Sequence, residues 1–394
     1  MKYKLEEIAL FNPTESIKKG DFAKKVAMDK LQSFCRDIPS YEIAEFNGGT
    51  KFRNGDTIMA RITPCLENGK AAKVDILEYG EVGFGSTEYI VFRAIDGVTD
   101  EDYLYYLVCS PIVRDIAIKS MVGSSGRQRV QTGVVKSIEI ELPSLDMQKK
   151  IGAFLKSFDD KIAINNRINN NLEQQAQAIY QSWFINYEPF GNTRPFDWVD
   201  GTIDELSKEV ICGKTPSTKI SEYYGTDIPF ITIPDMHGNV YAVSTERYLS
   251  FLGAESQPKK MLPRNAICVS CIGTAGLVTL TAYKSQTNQQ INSIIPKDGY
   301  SPYYIYLLMQ TLSMVINNFG QSGSTIVNLN KAQFGKIPVV IPSISAMAAF
   351  DEIVSPMFET ICSNQEENIK LAELRETLLP RLISGEIDVS AVDI

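Results

Sequence analysis

The fold of this chain is decided by residues 151–183, IGAFLKSFDDKIAINNRINNNLEQQAQAIYQSW. Apolar, small or amide side chains recur there at alternating steps of four and three, which is the spacing of a heptad repeat. The positions are Ile151, Leu155, Phe158, Ile162, Asn165, Asn169, Leu172, Ala176, Ile179 and Trp183. We predict one long helix with Ser144 as its N-cap, and the helical rise per residue makes this stripe ~48 Å long.

The same pattern returns 199 residues later, in phase with the first. The run Leu142-Pro143-Ser144 before the first stripe corresponds to Ile341-Pro342-Ser343 before the second. The second stripe comprises Phe350, Val354, Met357, Ile361, Asn364, Asn368, Leu371, Arg375, Leu378 and Leu382. Arg375 alone departs from the pattern. We predict a second long helix capped by Ser343, with a kink or a separate first turn at Pro356, because proline removes a helical hydrogen bond.

Each predicted helix carries two asparagines at core positions, Asn165 and Asn169 in the first and Asn364 and Asn368 in the second. A polar residue at a core position lowers stability but fixes the register. In an antiparallel pairing, Asn165 would lie level with Asn368, and Asn169 with Asn364. We therefore predict an antiparallel two-helix coiled coil with pseudo-twofold symmetry. The alternative is two independent amphipathic helices that pack on separate domains.

A block of mixed α/β pattern precedes each predicted helix, and the two blocks share their features in order. In each block a turn leads into a strand, a tyrosine-rich cluster begins a helix, a glycine-rich turn follows, and a strand ends the block. The paired segments are 52–62 and 262–272, 103–107 and 303–307, 123–129 and 320–325, and 138–142 and 337–341. We predict an α+β fold with a first domain at 1–143, a central helix at 144–188, a second domain at 189–342, and a C-terminal helix with an acidic tail at 343–394.

The net charge of −8 is unevenly distributed over the 394 residues. Residues 351–394 hold ten acidic and three basic side chains, a net charge of −7, which leaves −1 for the first 350. Residues 104–136 carry five basic and one acidic side chain, and residues 251–350 carry seven and two. Because the basic stretches occur once in each block, the acidic total does not exclude a partner such as nucleic acid. The sequence shows no signal peptide and no apolar run of membrane-spanning length, so we expect a cytoplasmic protein without a membrane partner.

The sequence offers little for catalysis or metal binding. Its seven cysteines are scattered, and free thiols are expected. Cys268 and Cys271 have the spacing of a zinc or redox pair, but they lie in an apolar, strand-like run without a second pair or a nearby histidine. His237 is the sole histidine. We find no nucleotide-binding loop, nucleophile elbow, methylase motif or nuclease motif, and we predict a non-enzymatic chain without a metal or cofactor of its own.

Two basic domains held by a rod can bind two segments of double-stranded DNA that are separated by a gap. Lysine and arginine supply phosphate contacts, and arginine, asparagine and glutamine can hydrogen-bond base edges. The candidates for these roles are Arg61, Lys70, Arg127, Gln128 and Arg129 in the first domain, and Lys214, Thr215, Ser217, Lys219, Gln289, Gln290 and Lys331 in the second. The two blocks differ in sequence, so we expect their half-sites to differ.

Three segments of the chain carry a resemblance to known proteins. Two are helical, Asn171-Leu172-Glu173-Gln174-Gln175-Ala176-Gln177-Ala178-Ile179-Tyr180-Gln181-Ser182-Trp183-Phe184 and Leu378-Leu379-Pro380-Arg381-Leu382-Ile383-Ser384-Gly385-Glu386-Ile387. They resemble the ends of the conserved regions in the DNA-specificity subunits of type I restriction-modification enzymes. The segment Gly213-Lys214-Thr215-Pro216-Ser217 resembles the opening of a target-recognition domain. The resemblance implies two target-recognition domains separated by conserved helices, and it marks residues 1–143 and 189–342 as those domains.

The same resemblance implies a set of partners. Two methylase subunits that use S-adenosylmethionine would dock on the chain, and ATP- and Mg-dependent restriction and translocase subunits would join them. The chain itself would choose a bipartite, asymmetric DNA site. One alternative is a duplicated coiled-coil interaction or scaffold protein without a DNA role, and another is an enzyme with a site of unfamiliar pattern.

Overall fold

A computed structural model of the chain describes residues 2–320 and 328–389, which form two compact units. The first unit comprises Met1–Ile164 together with Asn368–Ile394, and the second comprises Asn165–Glu367. Both boundaries fall inside long helices, so each unit contains part of both of them.

Among its described residues, the first unit is built from three small sheets, four complete α-helices and parts of the two long helices. Its strands are β1 (Lys2–Lys4), β2 (Ala9–Phe11), β3 (Phe22–Val26), β4 (Glu42–Glu45), β5 (Thr50–Phe52), β6 (Thr57–Ala60), β7 (Ala71–Lys73), β8 (Gly83–Gly85), β9 (Tyr89–Ala94) and β10 (Glu139–Glu141). Its helices are α1 (Leu5–Ile8), α2 (Glu101–Cys109), α3 (Pro111–Lys119), α4 (Thr132–Lys136), the N-terminal part of α5 (Leu145–Tyr180) and the C-terminal part of α12 (Ile344–Ile383). The strand orders are β2-β9-β6-β7, β4-β3-β8-β5 and β1-β10.

The second unit repeats this plan. Its strands are β11 (Val199–Thr202), β12 (Ser207–Cys212), β13 (Tyr224–Ile231), β14 (Tyr241–Ala242), β15 (Tyr248–Leu249), β16 (Ile267–Ser270), β17 (Val278–Thr281), β18 (Gln286–Thr287), β19 (Ile291–Pro296) and β20 (Pro338–Ile341). Its helices are the C-terminal part of α5, α6 (Ile203–Leu206), α7 (Ile233–Met236), α8 (Phe251–Glu255), α9 (Pro302–Thr311), α10 (Ser313–Gly320), α11 (Lys331–Gly335) and most of α12. The strand orders are β12-β19-β16-β17-β14, β15-β13-β18 and β11-β20.

The predicted duplication is visible in the strand pairing. The order β2-β9-β6-β7 corresponds to β12-β19-β16-β17, and the antiparallel pairings in the two runs agree. In the second sheet, β3 runs antiparallel to β4 and parallel to β8, as β13 runs to β15 and β18. The tyrosine-rich clusters lie in α2 and α9, where Tyr103 and Tyr303 are buried. The α+β prediction is therefore confirmed.

The two long helices follow the predicted heptad. Every stripe position is buried or half-buried, Arg375 included. As the residue number increases along α5, the residue number of the contacting position in α12 decreases. In the second unit Asn169 contacts Asn364, and the Phe184 and Phe350 rings lie 4.9 Å apart between centroids. The helices thus pair antiparallel, as predicted.

The two predicted N-cap serines make different contacts, and Pro356 does not interrupt its helix. The hydroxyl of Ser144 accepts from the N–H of Met147 at 3.4 Å, which is the contact that an N-cap makes. The hydroxyl of Ser343 instead lies 3.2 Å from that of Ser345. The helix α12 continues without a break through Pro356, so the separate first turn is absent. Proline has no N–H, so the carbonyl four residues before it has no donor within the helix. Because Pro356 lies on the exposed face of α12, water can donate to that carbonyl instead.

Of the second glycine-rich turn, residues 321–325 lie outside the described residues. Within residues 2–320 and 328–389, none of the helices has the length and apolar character needed to span a membrane.

Candidate nucleic-acid interface

In the first unit, the backbone brings together Arg61, Gln128 and Arg129, which the sequence predicts as DNA contacts. The N–H of Val130 donates to the carbonyl of Arg61 at 2.9 Å, and the N–H of Arg61 donates to the carbonyl of Glu88 at 2.9 Å. Residues 62 and 129 form an antiparallel bridge. Because the 61–63 segment lies between residue 88 and residues 128–130, three distant parts of the sequence present their side chains at one place.

The side chains of Glu88 and Arg129 form the strongest polar contact of this cluster. Nε of Arg129 donates to both carboxylate oxygens of Glu88, at 2.9 and 3.0 Å, and Nη2 donates to Oε1 at 2.6 Å. This hydrogen bonding lowers the pKa of the Glu88 carboxyl, and Glu88 raises the pKa of the Arg129 guanidinium. The Arg129 side chain is 47% exposed, so the paired guanidinium remains open to a ligand.

The candidates Arg61, Arg127 and Lys70 differ in how far their donor groups are already hydrogen-bonded within the protein. Arg61 is half-buried, and its buried Nε has no hydrogen-bond partner among the described residues. Arg127 lies exposed on the glycine-rich turn. One N–H of the Lys70 ammonium donates to the carbonyl of Met28 at 2.9 Å. Arg61 and Arg127 therefore offer more donor groups to a ligand than Lys70 does.

In the second unit, Lys214 and Thr215 lie beside Gln289. The Thr215 hydroxyl donates to Oε1 of Gln289 at 2.7 Å, and the N–H of Lys214 donates to the carbonyl of Thr287 at 2.9 Å. The Lys214 side chain is exposed, and the buried Gln257 donates to its carbonyl at 2.7 Å. The structure thus holds the backbone at Lys214 and the side chain of Thr215, and it leaves the lysine ammonium open to solvent.

The remaining candidates of the second repeat occupy other exposed positions. Ser217 and Lys219 lie in the exposed loop after Pro216. Lys331 is the first residue of α11, directly after the N-cap Asn330. No hydrogen bond between described residues links the side chains of Ser217, Lys219 or Lys331 to the Thr215–Gln289 pair.

Gln290 occupies the place in the second repeat that Glu88 has in the first. The N–H of Cys271 donates to the carbonyl of Gln290 at 2.8 Å, as the N–H of Arg61 does to Glu88. Residues 272 and 328 form the antiparallel bridge that corresponds to the bridge between 62 and 129. The same backbone site therefore carries Glu88 and Arg129 in one repeat and Gln290 and Asn328 in the other.

Glu88 and Asn328 are not among the DNA contacts that the sequence predicts. Glu88 directly precedes β9 and Gln290 directly precedes β19, so an alignment of the two repeats at these strands would have indicated the acidic residue. The partner of Glu88 is 41 residues away in the sequence, and no local pattern reports that contact.

The core asparagines of the paired helices hydrogen-bond across the coiled coil in the second unit. Nδ2 of Asn364 donates to Oδ1 of Asn169 at 2.8 Å. Nδ2 of Asn165 donates to Oε2 of Glu367 at 2.7 Å, and Asn165 is buried. Asn368 is half-buried. The polar positions of the stripe are thus used for specific contacts, which is how a buried amide fixes register.

The cysteine pair and the histidine are of the residue types typical of metal or acid–base chemistry. Cys268 and Cys271 are buried, and burial raises the pKa of each thiol to about 12. Among the described residues, no group of three or more histidine, cysteine, aspartate or glutamate side chains could hold a metal ion. His237 is exposed.

Comparison with known proteins identifies the family. A family model for the type I restriction modification DNA specificity domain matches residues 1–174 and, separately, residues 195–373. The chain belongs to the type I restriction-modification DNA specificity family. The model matches twice, in agreement with the duplicated fold. This family supplies specificity and is not the catalytic part of the enzyme.

Individual relatives support the same assignment. The HindI specificity subunit of Haemophilus influenzae is 33% identical over 405 residues, covering 85% of this chain and 87% of that protein. The MjaIX specificity subunit of Methanocaldococcus jannaschii is 26% identical, covering 75% and 70%. The solved type I restriction-modification S subunit from M. genitalium has the same fold, with a TM-score of 0.61 at 14% identity and coverage of 97% and 95%.

Proposed function

We propose that this chain is the DNA-specificity subunit of a type I restriction-modification complex and that it binds a split double-stranded site with two different half-sites. The observation that carries the proposal is the duplicated backbone site with unlike side chains. Glu88 and Arg129 in one repeat present a carboxylate and a guanidinium, whereas Gln290 and Asn328 in the other present two amides. Arginine matches the acceptors of guanine, and amides match the donor–acceptor pair of adenine. Unlike side chains at equivalent places predict unlike half-sites.

Exposed cations in both repeats supply the part of the affinity that does not depend on sequence. Arg127 lies beside the first site, and Lys214, Lys219 and Lys331 are exposed in the second unit. Such groups attract the phosphate backbone and position the duplex, and their contribution falls as salt concentration rises. In this proposal the basic stretches bind the backbone, and the paired sites at 88–129 and 290–328 choose the bases.

The proposal also includes the partners. Two repeats provide two equivalent positions for two methylase subunits, and restriction and translocase subunits complete the complex. S-adenosylmethionine, ATP and Mg would then be bound by those subunits, and this chain would contribute the choice of site. The acidic C-terminal region, whose charge disfavours DNA, is the part of the chain that we assign to subunit contacts.

The test is to map methylated adenines across the genome with the gene intact, deleted and restored. Deletion is expected to abolish methylation at one split motif and to leave all other motifs unchanged, and restoration is expected to recover it. A scaffold protein without a DNA role would leave every motif methylated in the deletion strain. That result would contradict the proposal.

A further inference from the structure

The pair formed by Glu88 and Arg129 is held in place from both sides by backbone hydrogen bonds. Arg129 exchanges N–H to carbonyl hydrogen bonds with Val122, at 2.9 and 3.0 Å. The carbonyl of Glu88 accepts from the N–H of Arg61 at 2.9 Å, and the next residue begins β9. A side chain that must recognise one base needs such a fixed origin, because small displacements break paired hydrogen bonds.

Glu88 occupies one edge of the guanidinium and leaves another edge free. The edge formed by Nε and Nη2 donates to the carboxylate, with three contacts between 2.6 and 3.0 Å. A guanidinium has five N–H groups in one plane, and its end, formed by Nη1 and Nη2, carries two that point in parallel. Since the Arg129 side chain is nearly half exposed, this free end is accessible from solvent.

The charge of the pair favours a base over a phosphate. A carboxylate in direct contact offsets the positive charge of Arg129, and it would also repel an approaching phosphate group. Guanine presents two neutral acceptors, O6 and N7, at the spacing that the end of a guanidinium matches in the major groove. The exposed Arg127, which has no ion pair with a described residue, is the better phosphate contact of the two.

We propose that Arg129 reads a guanine in the half-site bound by the first repeat and that Glu88 is the positioning residue that orients it. This inference rests on the proposed function. The corresponding residues of the second repeat are Gln290 and Asn328, so the guanine is expected in one half-site and not at the equivalent position of the other.

The experiment is selection of bound duplexes from a randomised DNA library by the full chain and by three variants. Arg129→Lys keeps the positive charge but removes the paired N–H groups, and Glu88→Gln keeps the size but removes the charge that holds Arg129. Arg264→Lys is the matched control, because Arg264 forms an Arg–Glu pair of similar exposure with Glu359 in the second unit. Circular dichroism and unfolding midpoints confirm that each variant is folded.

We expect discrimination for guanine at one position of one half-site to fall about ten-fold or more in Arg129→Lys, as loss of a bidentate base contact requires. Glu88→Gln is expected to relax the same position, and Arg264→Lys is expected to leave the selected motif unchanged. A wild-type motif that persists in Arg129→Lys would overturn the inference while the proposed function stands. So would an equal loss on all sequences with a shallower salt dependence, since Arg129 would then be a phosphate contact. A wild-type chain that selects no motif would overturn both.

Discussion

Tyr106 in the first unit and Tyr306 in the second occupy corresponding places in the repeat, and their hydroxyl groups meet different partners. Tyr106 donates to Oδ2 of Asp159 at 2.6 Å, and Asp159 also forms an ion pair with Arg375. All three side chains are buried. The hydroxyl of Tyr306 donates instead to Oε1 of Glu173 at 3.3 Å. The residue that corresponds to Asp159 is Phe358, whose ring centroid lies 5.5 Å from that of Tyr306.

The helix position that corresponds to Arg375 is likewise apolar in the second unit. It is Ala176, which is fully buried in the core that also contains Phe358. The first unit therefore buries an ion pair where the second buries an aromatic and a small residue. The repeats have kept the backbone and the places of their contacts, and they have exchanged the chemistry of those contacts, at the helices as at the candidate interface.

This difference bears on which helices pair. If α5 paired with α5 of a second copy in the same register, Asp159 would face Ala176, and if α12 paired with α12, Phe358 would face Arg375. Each homotypic pairing leaves a buried charge without its partner, which is strongly unfavourable. We therefore expect the ion pair to favour pairing of α5 with α12, in addition to the register set by the asparagines.

The largest effect is expected from Arg375→Ala. It leaves the Asp159 carboxylate buried without its cation, and it also removes a hydrogen bond to the carbonyl of Phe34. We expect the free energy of unfolding of the first unit to fall by about 3–5 kcal/mol. Urea denaturation measures the loss in the free energy of unfolding. Hydrogen exchange in α2 and in the N-terminal part of α5 assigns that loss to the first unit.

The control variant places the two side chains of the second unit at the corresponding positions of the first. Asp159→Phe combined with Arg375→Ala removes both charges and restores an aromatic and a small residue, so we expect it to recover at least half of the lost stability. It also removes the barrier to homotypic pairing, so size-exclusion chromatography with light scattering is expected to show more self-association than in the wild type. A double variant no more stable than Arg375→Ala alone would show that the charged pair is not the counterpart of Phe358 and Ala176.

The heptad pattern predicted both helices and their direction, because core spacing is a local property of the sequence. The same pattern could not predict the ion pair between Asp159 and Arg375. Asp159 lies next to the stripe position Phe158, and its partner is 216 residues away. Arg375 interrupts the apolar pattern of the second stripe because its partner, Asp159, is buried beside it. Sequence periodicity thus locates a core position but does not identify the residue that it meets.

A smaller effect, confined to one half-site, is expected from Gln290→Ala. Gln290 takes the place of Glu88 in the second repeat, and its Oε1 accepts from Nδ2 of Asn288 at 3.0 Å. Loss of an oriented amide is expected to reduce discrimination at one base pair by about 1–3 kcal/mol. Binding titrations against duplexes that vary one half-site at a time measure it. An equal change in both half-sites would contradict the correspondence between the two repeats.

The smallest effect is expected from Arg127→Ala. This exposed side chain is assigned to a phosphate, so affinity should fall by a similar factor on every sequence. The slope of log affinity against log salt concentration should decrease in magnitude by about 1. Titrations at several salt concentrations check this, with a non-cognate duplex as the control. A loss on cognate DNA alone would assign Arg127 to base recognition and weaken the contrast with Arg129.

The candidate interface was predictable to a lesser degree than the fold. Residue type pointed to Arg61, Gln128 and Arg129 as separate candidates within one repeat. Their proximity to one another and to residue 88 comes from backbone hydrogen bonds between distant segments, which the sequence does not report. Lys70 and Gln289 were chosen by the same reasoning, and the structure shows their side chains hydrogen-bonded within the protein. Whether a polar side chain is free or engaged depends on tertiary contacts that composition does not report.

Selection of duplexes from a randomised library by the full wild-type chain measures whether its two repeats bind different half-sites. We expect a motif of two different short sequences separated by a gap of constant length in which no base is preferred. Two identical half-sites, one continuous sequence, or binding without any sequence preference would contradict it.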